Sequence, residues 1–478
     1  MKTLLHLVLV LVVSAASHPG PAAENGAPAA GVKLTDEQQA WLQRAWRFEK
    51  NGWLFLHLAG APQERGFQHG FLLAREIQES LRGERIAWKH HSGMEWSWLV
   101  ARAKEFFVPA VDPENLAEID GIVAGLAAAG VLSSREELVA YNGIIELAYY
   151  WWPQEKDRLK ADRPPEPRKA CSAFIATGSA TADGRIVLGH NTMGGYATAN
   201  CNVILDLAPE RGQRLLMQGQ PGWIHSGTDF FITGAGLVGA ETTISGFTGF
   251  DTRGIPEFAR MRRAAQDATT IDEWCAIMKR GNNGGYANAW LLGDIKTNEI
   301  ARLELGLKYV AFERTRDGYY LGANVAEDIS LLRLETDFRE TDIRLSGVAR
   351  RVRWKQLMRQ HAGKIDLEAA KRFEADHYDV YLHREFAGER TLCAHSELVG
   401  EPLGRYVPFA PTGTIDAKVV DARLAHDMAF AARWGAACGR AFDAKLFLAA
   451  RPQFDWMEGL LKSRPSQPWT VFRSGTKP

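Results

Sequence analysis

The chain has 478 residues, 46% hydrophobic and 24% charged, an ordinary globular composition with length enough for a large core. Lys plus Arg equals Asp plus Glu at 57 each, which excludes a global basic field for nucleic acid or an anionic membrane surface. Fifteen tryptophans suit a big packed core or a groove for apolar substrates.

The chain opens MKTLLHLVLVLVVSAAS. One Lys, a short apolar run from Leu4 to Val13 and the small residues Ser14 to Ser17 predict a secretory signal over 1–17. The apolar run is about half the ~20 residues a spanning helix needs, and no later segment is long and apolar enough to span a bilayer. A secreted or periplasmic protein without a transmembrane segment is expected. Residues 18–34 are rich in Ala, Gly and Pro and predict a disordered tail.

From 35 to 170 the pattern predicts a helical N-terminal portion that ends in a linker. Thr35 and Gln38 can form a capping box, Asp112-Pro113 opens a helix, and Ser134 and Glu137 frame another start. Residues 65–88 carry apolar positions at helical spacing. The stretch EKDRLKADRPPEPRKA, 155–170, is charged and proline-rich; stacked prolines neither continue a helix nor join a sheet interior.

After Cys171 the texture changes to short strands: CSAFIATGSA, GRIVLGHN, NVILDLA, QRLLMQG, DFFIT and GLVGAETTI. TADG, 181–184, reads as the turn between the first two. Helices return at 256–268 and from Thr270. ANAWLLGDIKTNEIARLELG reads as two strands, 345–361 and 366–376 as helices, and TIDAKVVD as a strand before a final helical stretch. Strands in one block with helices around them predict a layered α+β fold.

GAGLVG, 234–239, matches the dinucleotide pattern, but no helix follows it, so the tight-turn reading stands and no nucleotide cofactor is expected. There is no GxSxG elbow and no HExxH. His90 and His91 are adjacent in what reads as a polar loop. Five cysteines, Cys171, Cys201, Cys275, Cys393 and Cys438, are an odd number, so at least one is free. No CxxC and no Cys/His pair has zinc-site spacing, and no metal is expected.

Cys171 stands where an exposed linker meets a strand. A bond in such a linker is open to processing, and cleavage between Ala170 and Cys171 would give the thiol an α-amine of its own. The two groups have ordinary pKa values near ~8 and ~8.5, so nucleophile and base would sit in one residue. The next strand ends in GHNTM, which carries His190 and Asn191 to the neighbouring strand end if the two pair. GNNGGYANAW, 281–290, sets Asn282, Asn283 and Asn288 among glycines. These are turn formers, or amides that donate to a developing oxyanion. ETT, 241–243, could serve the same site.

Taken together, CSA, then HNT, then PGWIHSGTDFFITGAGLVGAETTI, then NNGGYANAW, then GTIDAKVVD resemble the phospholipase B-like family of N-terminal nucleophile hydrolases, related to the linear amide hydrolases of peptidase family C45. The resemblance covers essentially all of the chain after residue 170. It implies a four-layer αββα sandwich with a helical N-terminal portion, and 171–478 as the catalytic portion. It implies self-cleavage between Ala170 and Cys171, with Cys171 as nucleophile and His190 beside the thiol. Asn282 and Asn288 are implied as oxyanion or substrate groups. Thr242, Thr243, Asn191 and Trp290 are implied as substrate-binding. HNT is followed by Met193, where animal members carry Trp.

The implied activity is a secreted, self-processing cysteine hydrolase of acyl ester or amide bonds, with a small-molecule or lipid acyl substrate. An acyltransferase of the penicillin acyltransferase type is the alternative within enzymes. A secreted binding protein that keeps the fold without catalysis is the alternative outside them.

Overall fold

The computed structural model describes residues 33–159, 170–199, 202–227, 229–400 and 407–478. The expected signal segment, nearly all of the expected tail and linker residues 160–169 lie outside the described residues. The expected helix starts are found in place. Thr35 closes a capping box with Gln38, and Asp112, Ser134 and Thr270 cap Pro113–Ala128, Arg135–Asn142 and Ile271–Lys279. Each side-chain oxygen accepts from an amide that the first helical turn leaves unpaired.

The N-terminal portion is not purely helical. It begins with a hairpin, β1 (Trp46–Lys50) and β2 (Trp53–Gly60). Asn51 and Gly52 make its turn with φ of 50° and 81°, the left-handed pair that a two-residue hairpin needs. The expected strands follow as β3 (Ala170–Thr177), β4 (Val187–Gly195), β5 (Val203–Pro209), β6 (Leu215–Gly219), β7 (Phe230–Thr233) and β8 (Leu237–Thr243). β9 (Asn288–Asp294) and β10 (Glu299–Leu305) are the expected pair, extended by β11 (Val310–Thr315), while β12 (Gly318–Gly322) crosses to the other sheet and pairs with β3. A small ribbon, β13 (Tyr378–Asp379) and β14 (Arg384–Glu385), precedes β15 (Thr412–Asp421). The C-terminal stretch is not helical throughout: it supplies β16 (Ala429–Trp434) and β17 (Thr470–Arg473).

Among the described residues these strands form two large sheets. One has nine strands in the order β1-β2-β5-β6-β7-β8-β9-β10-β11 and the other six in the order β12-β3-β4-β15-β16-β17. Trp53, Phe55, Ile175, Leu188, Ile204, Ile232, Leu291 and Phe430 are fully buried together between the sheets. Alternate residues point the other way. Phe174, Ala176 and Val419 pack on Trp354, Leu357 and Phe373 of helices Ser346–Gln360 and Leu367–Glu374. On the far side, Leu205, Met217, Phe231, Trp290 and Leu303 pack on the N-terminal helices and on Glu257–Asp267 and Ile271–Lys279. The layers therefore run helix, sheet, sheet, helix, as the α+β expectation has it. Each large side chain buried this way contributes about 1.5–3 kcal/mol.

The single helix expected at 65–88 is two, Pro62–Leu72 and Ala74–Ser92. The second reaches His90 and His91, which are in its last turn and not in a loop, with His90 stacked on Trp456. The first crosses Pro113–Ala128 at backbone contact. A Cβ at Gly66 would lie 1.9 Å from the Glu118 carbonyl oxygen, and one at Gly121 would lie 2.2 Å from that of Gln63. Only glycine allows that approach. The Gly121→Ala variant should lose about 1–3 kcal/mol or more of stability through overpacking, measured by denaturant titration; an unchanged midpoint would show that the two backbones do not meet.

Candidate active site

β3 and β4 pair antiparallel with Cys171 opposite Thr192 and Ala170 opposite Met193. Odd-numbered residues of β3 face the layer between the sheets, where Ala173 and Ile175 lie. Even-numbered ones face the helices, and there Ser172 accepts a hydrogen bond from Trp354 Nε1 at 2.9 Å. Cys171 thus points into the inter-sheet layer at the strand's start. It is 1% exposed.

The backbone of Cys171 is clamped on both sides. Its amide N–H donates to Oδ1 of Asn324 at 3.1 Å, and its carbonyl accepts from Nη1 of Arg350. Nη2 of Arg350 donates to the same Asn324 oxygen at 2.7 Å, and Nδ2 of Asn324 donates to the Thr243 carbonyl at 2.7 Å. Asn324 sits at φ 62°, a left-handed conformation that is uncommon outside glycine. Arg350 projects from helix Ser346–Gln360 and is buried.

Beside the thiol stands a pair of acids. Sγ of Cys171 and a carboxylate oxygen from each of Asp229 and Glu241 lie within 4.8 Å of one another. Tyr286 donates its hydroxyl to Oδ2 of Asp229 at 2.5 Å, and Thr243 donates to Oε1 of Glu241 at 3.3 Å. Burial, followed by the charge of Asp229, pushes the Glu241 carboxyl well above its usual range. Burial, then Glu241 and Asp229, pushes the Cys171 thiol well up, against Lys418 and the Met193 amide. A buried neutral thiol facing a carboxylate that already takes one hydroxyl proton in a hydrogen bond is arranged for proton transfer.

A second polar line crosses the layer. Lys418 donates to Thr192 at 2.6 Å and to Asp416 at 2.5 Å, and Gln218 donates to Asp416 at 2.7 Å. His190 shares the face of Thr192, two residues along β4. Its Nε2 meets the Glu241 carbonyl at 3.0 Å. A carbonyl only accepts, so Nε2 carries the proton and Nδ1 the lone pair; Nδ1 makes no hydrogen bond. Burial, then Lys418, pushes the His190 pKa well down, and the ring is neutral.

The other expected residues divide. Asn288 opens β9 opposite Thr243. It is fully buried, and neither its amide nitrogen nor its oxygen has a hydrogen-bond partner, a costly state for an amide with nothing to bind. Thr242 faces the other sheet against Gly322, and the Thr243 carbonyl holds Asn324. Three expectations are corrected. Asn191 faces the helices and donates to the carbonyls of Glu374 and Leu392 at 2.7 and 2.9 Å, so it ties layers together and does not face Cys171. Asn282 donates to the Gly306 carbonyl at 2.6 Å and accepts from Gly284, so its amide is committed to its own loop. Trp290 packs on Trp274, with ring centroids 4.9 Å apart, in the helix-side core. Met193, the departure from the animal pattern, packs with Ala394 on Ala170.

Asp229, Glu241 and Tyr286 all lie inside quoted motifs, yet sequence reasoning favoured their neighbours. Their signal was a buried carboxylate or phenol at a strand end. Asn324 and Arg350 lie in no motif, and only the fold brings them to Cys171.

Residues 126–311 match the family model described as phospholipase B, a span that holds the CSA, HNT, PGWIHSGTDFFITGAGLVGAETTI and NNGGYANAW pieces of the resemblance and ends before GTIDAKVVD. An uncharacterized protein from Archaeoglobus fulgidus is 26% identical over 270 residues, 52% of this chain and 42% of that protein. Phospholipase-B 81 from Drysdalia coronoides is 26% identical over 248 residues, 46% of this chain and 43% of that protein. The chain thus spans less than half the length of these curated relatives. A solved structure of a conjugated bile acid hydrolase variant from Clostridium perfringens aligns with TM-score 0.32 and 11% identity, over 55% of this chain and 89% of that one.

Because the thiol is buried and its pKa raised, Cys171 in the intact chain should resist iodoacetamide at neutral pH. Peptide mass spectrometry after brief alkylation checks this: a fully labelled Cys171 in uncut protein would contradict the buried geometry.

Proposed function

We propose that this chain is the precursor of an N-terminal-nucleophile hydrolase, secreted, which cuts itself between Ala170 and Cys171 and then cleaves acyl ester or amide bonds. The observation that carries the reading is the clamp on Cys171. Asn324 and Arg350 hold both its backbone polar groups while its thiol faces Asp229 and Glu241. A structural cysteine needs no such arrangement. The phospholipase B match over 126–311 supports an acyl ester, first of all a phospholipid, as substrate.

In self-cleavage the thiol proton passes to Asp229, and sulfur attacks the Ala170 carbonyl carbon. The C–N bond breaks as the Cys171 nitrogen takes a proton, leaving a thioester. Water then frees the Ala170 carboxylate and the thiol. The new α-amine stays on Oδ1 of Asn324, where its N–H already donates. With a pKa near ~8 it accepts the thiol proton in later turnovers. Substrate acylates Cys171, and water releases the acid; an amine arriving first gives acyl transfer instead. The Asn288 amide, buried with no hydrogen-bond partner, is taken as the oxyanion donor, an effect of ~3–4 kcal/mol where such a donor has been removed. His190, with its free Nδ1, positions the Glu241 strand against the thiol strand. In the intact chain Cys171 is closed off from solvent, and in this reading the substrate reaches it only after the cut. No helix among the described residues is long and apolar enough to cross a membrane, and lipid substrate would be taken from an interface or a micelle.

An SDS gel with N-terminal sequencing tests the reading. Wild type should give two fragments, the heavier beginning at Cys171, while Cys171→Ala stays whole. A wild-type chain that stays intact, and is indifferent to Cys171→Ala in binding and hydrolysis assays, would favour the inactive binding protein. The Asp229→Asn variant should slow the cut by about 10²–10⁴-fold, the range for loss of a general base, followed as fragment appearance with time. Product analysis of cut enzyme with and without an amine acceptor separates hydrolysis from transfer.

A further inference from the structure

Linear spacing gave no zinc motif, but folding brings four donors together away from Cys171. His377 lies in the segment leading to β13, Cys393 and His395 in the segment before β15, and Cys438 in the loop after β16. One donor atom from each lies within 4.8 Å of all the others. Nε2 of His395 is 3.4 Å from Sγ of Cys393 and 3.5 Å from Sγ of Cys438. A tetrahedral ion with bonds of about 2.3 Å to sulfur and 2.0–2.1 Å to nitrogen has N···S edges of about 3.5 Å.

The surroundings fit ligands better than a chance cluster. Nδ1 of His395 lies 2.9 Å from Oε1 of Glu397. The carboxylate accepts, so Nδ1 carries the proton and Nε2 offers one lone pair. One lone pair cannot serve two S–H donors, whereas a cation between them uses the nitrogen and both sulfurs at once. Carboxylate support of this kind fixes the tautomer of a ligating histidine. The Arg440 amide donates to Sγ of Cys438 at 3.4 Å. Nε2 of His377 is buried and makes no hydrogen bond, and its ring meets that of His395 at 5.1 Å.

We propose that His377, Cys393, His395 and Cys438 bind a structural zinc ion. Two sulfurs and two imidazoles in a closed set of four select a tetrahedral, borderline-soft dication, and four protein ligands leave no open position for chemistry. Any thiol still protonated gives its proton to solvent on binding. The ion would cross-link three chain segments. Between two of its ligands sits Ala394, which packs on Ala170 and Met193 and exchanges hydrogen bonds with Thr414. The zinc therefore anchors the wall beside the Ala170–Cys171 bond. The site stands whether or not Cys171 is a nucleophile.

Elemental analysis of the purified full chain should find one zinc per chain. Exchange for Co²⁺ should give thiolate charge-transfer absorption and the intense bands of tetrahedral cobalt. Zinc and the cobalt bands should be lost in C393S/C438S and kept in C171A. Zinc retained by C393S/C438S would overturn the assignment. So would a Cys393–Cys438 disulfide in unreduced wild type, or wild-type thiols that stay free and metal-free after incubation with Zn²⁺. The last two are read on wild type, so a variant that fails to fold does not remove the test.

Discussion

The amide of Cys171 is held while it is still part of a peptide bond. One oxygen, Oδ1 of Asn324, takes both that N–H and a guanidinium N–H of Arg350. The other guanidinium nitrogen closes the loop on the Cys171 carbonyl. This small ring joins β3, the turn after β12 and helix Ser346–Gln360, and through Thr243 it joins the second sheet. Buried backbone groups are nearly always paired, but pairing by two side chains at a strand's first turns is specific. It fixes the nitrogen in place without using the neighbouring strand.

Charge in the interior follows one rule on both sides of the molecule. Glu118 is buried between Arg65 and Arg262, at 2.7 and 3.0 Å. Burial alone would raise its pKa, and the two guanidinium groups outweigh that and lower it. Paired in this way, it is an anion that locks the N-terminal helices to Glu257–Asp267. Glu241, Glu257 and Glu374 are buried too, but there burial outweighs the nearby cations, Arg260 for Glu257 and Lys418 for Glu374, and their pKa values go up. Glu241, beside the Cys171 thiol, meets burial and the charge of Asp229 instead, and buried groups shifted in this way recur at functional sites.

Much of the fold was legible in the sequence because its signals are local. A capping oxygen, a proline after Asp112 and alternation in CSAFIATG each act within a few residues. The Asn51-Gly52 hairpin was equally local, but it lay inside a helical stretch and its second strand pairs with β5, far along the chain. The site was half legible. Cys171 and His190 stand on one face because strand alternation puts them there, and the same alternation turns Asn191 away. In NNGGYANAW the amides drew attention, but Asn282 satisfies its own loop while Tyr286 reaches Asp229. Asn324 and Arg350 meet Cys171 across 153 and 179 positions, with no periodicity to announce them. His377, Cys393, His395 and Cys438 are hidden for the same reason, since their separation along the chain carries no information about their distance in space.

The β1–β2 hairpin has a consequence for what a cut at Ala170 would produce. β2 lies inside the nine-stranded sheet, paired with β5 in parallel register, and helices from the same N-terminal portion cover that sheet's outer face. The upstream piece is thus no detachable propeptide. Severing the bond would leave two chains sharing one core. Folding, unimolecular before the cut, would become a bimolecular assembly after it, with apparent stability tied to concentration by mass action. Once unfolded and diluted, such a pair has lost the connection that first brought its halves together. The mature protein would then persist by the slowness of its unfolding more than by its ability to refold.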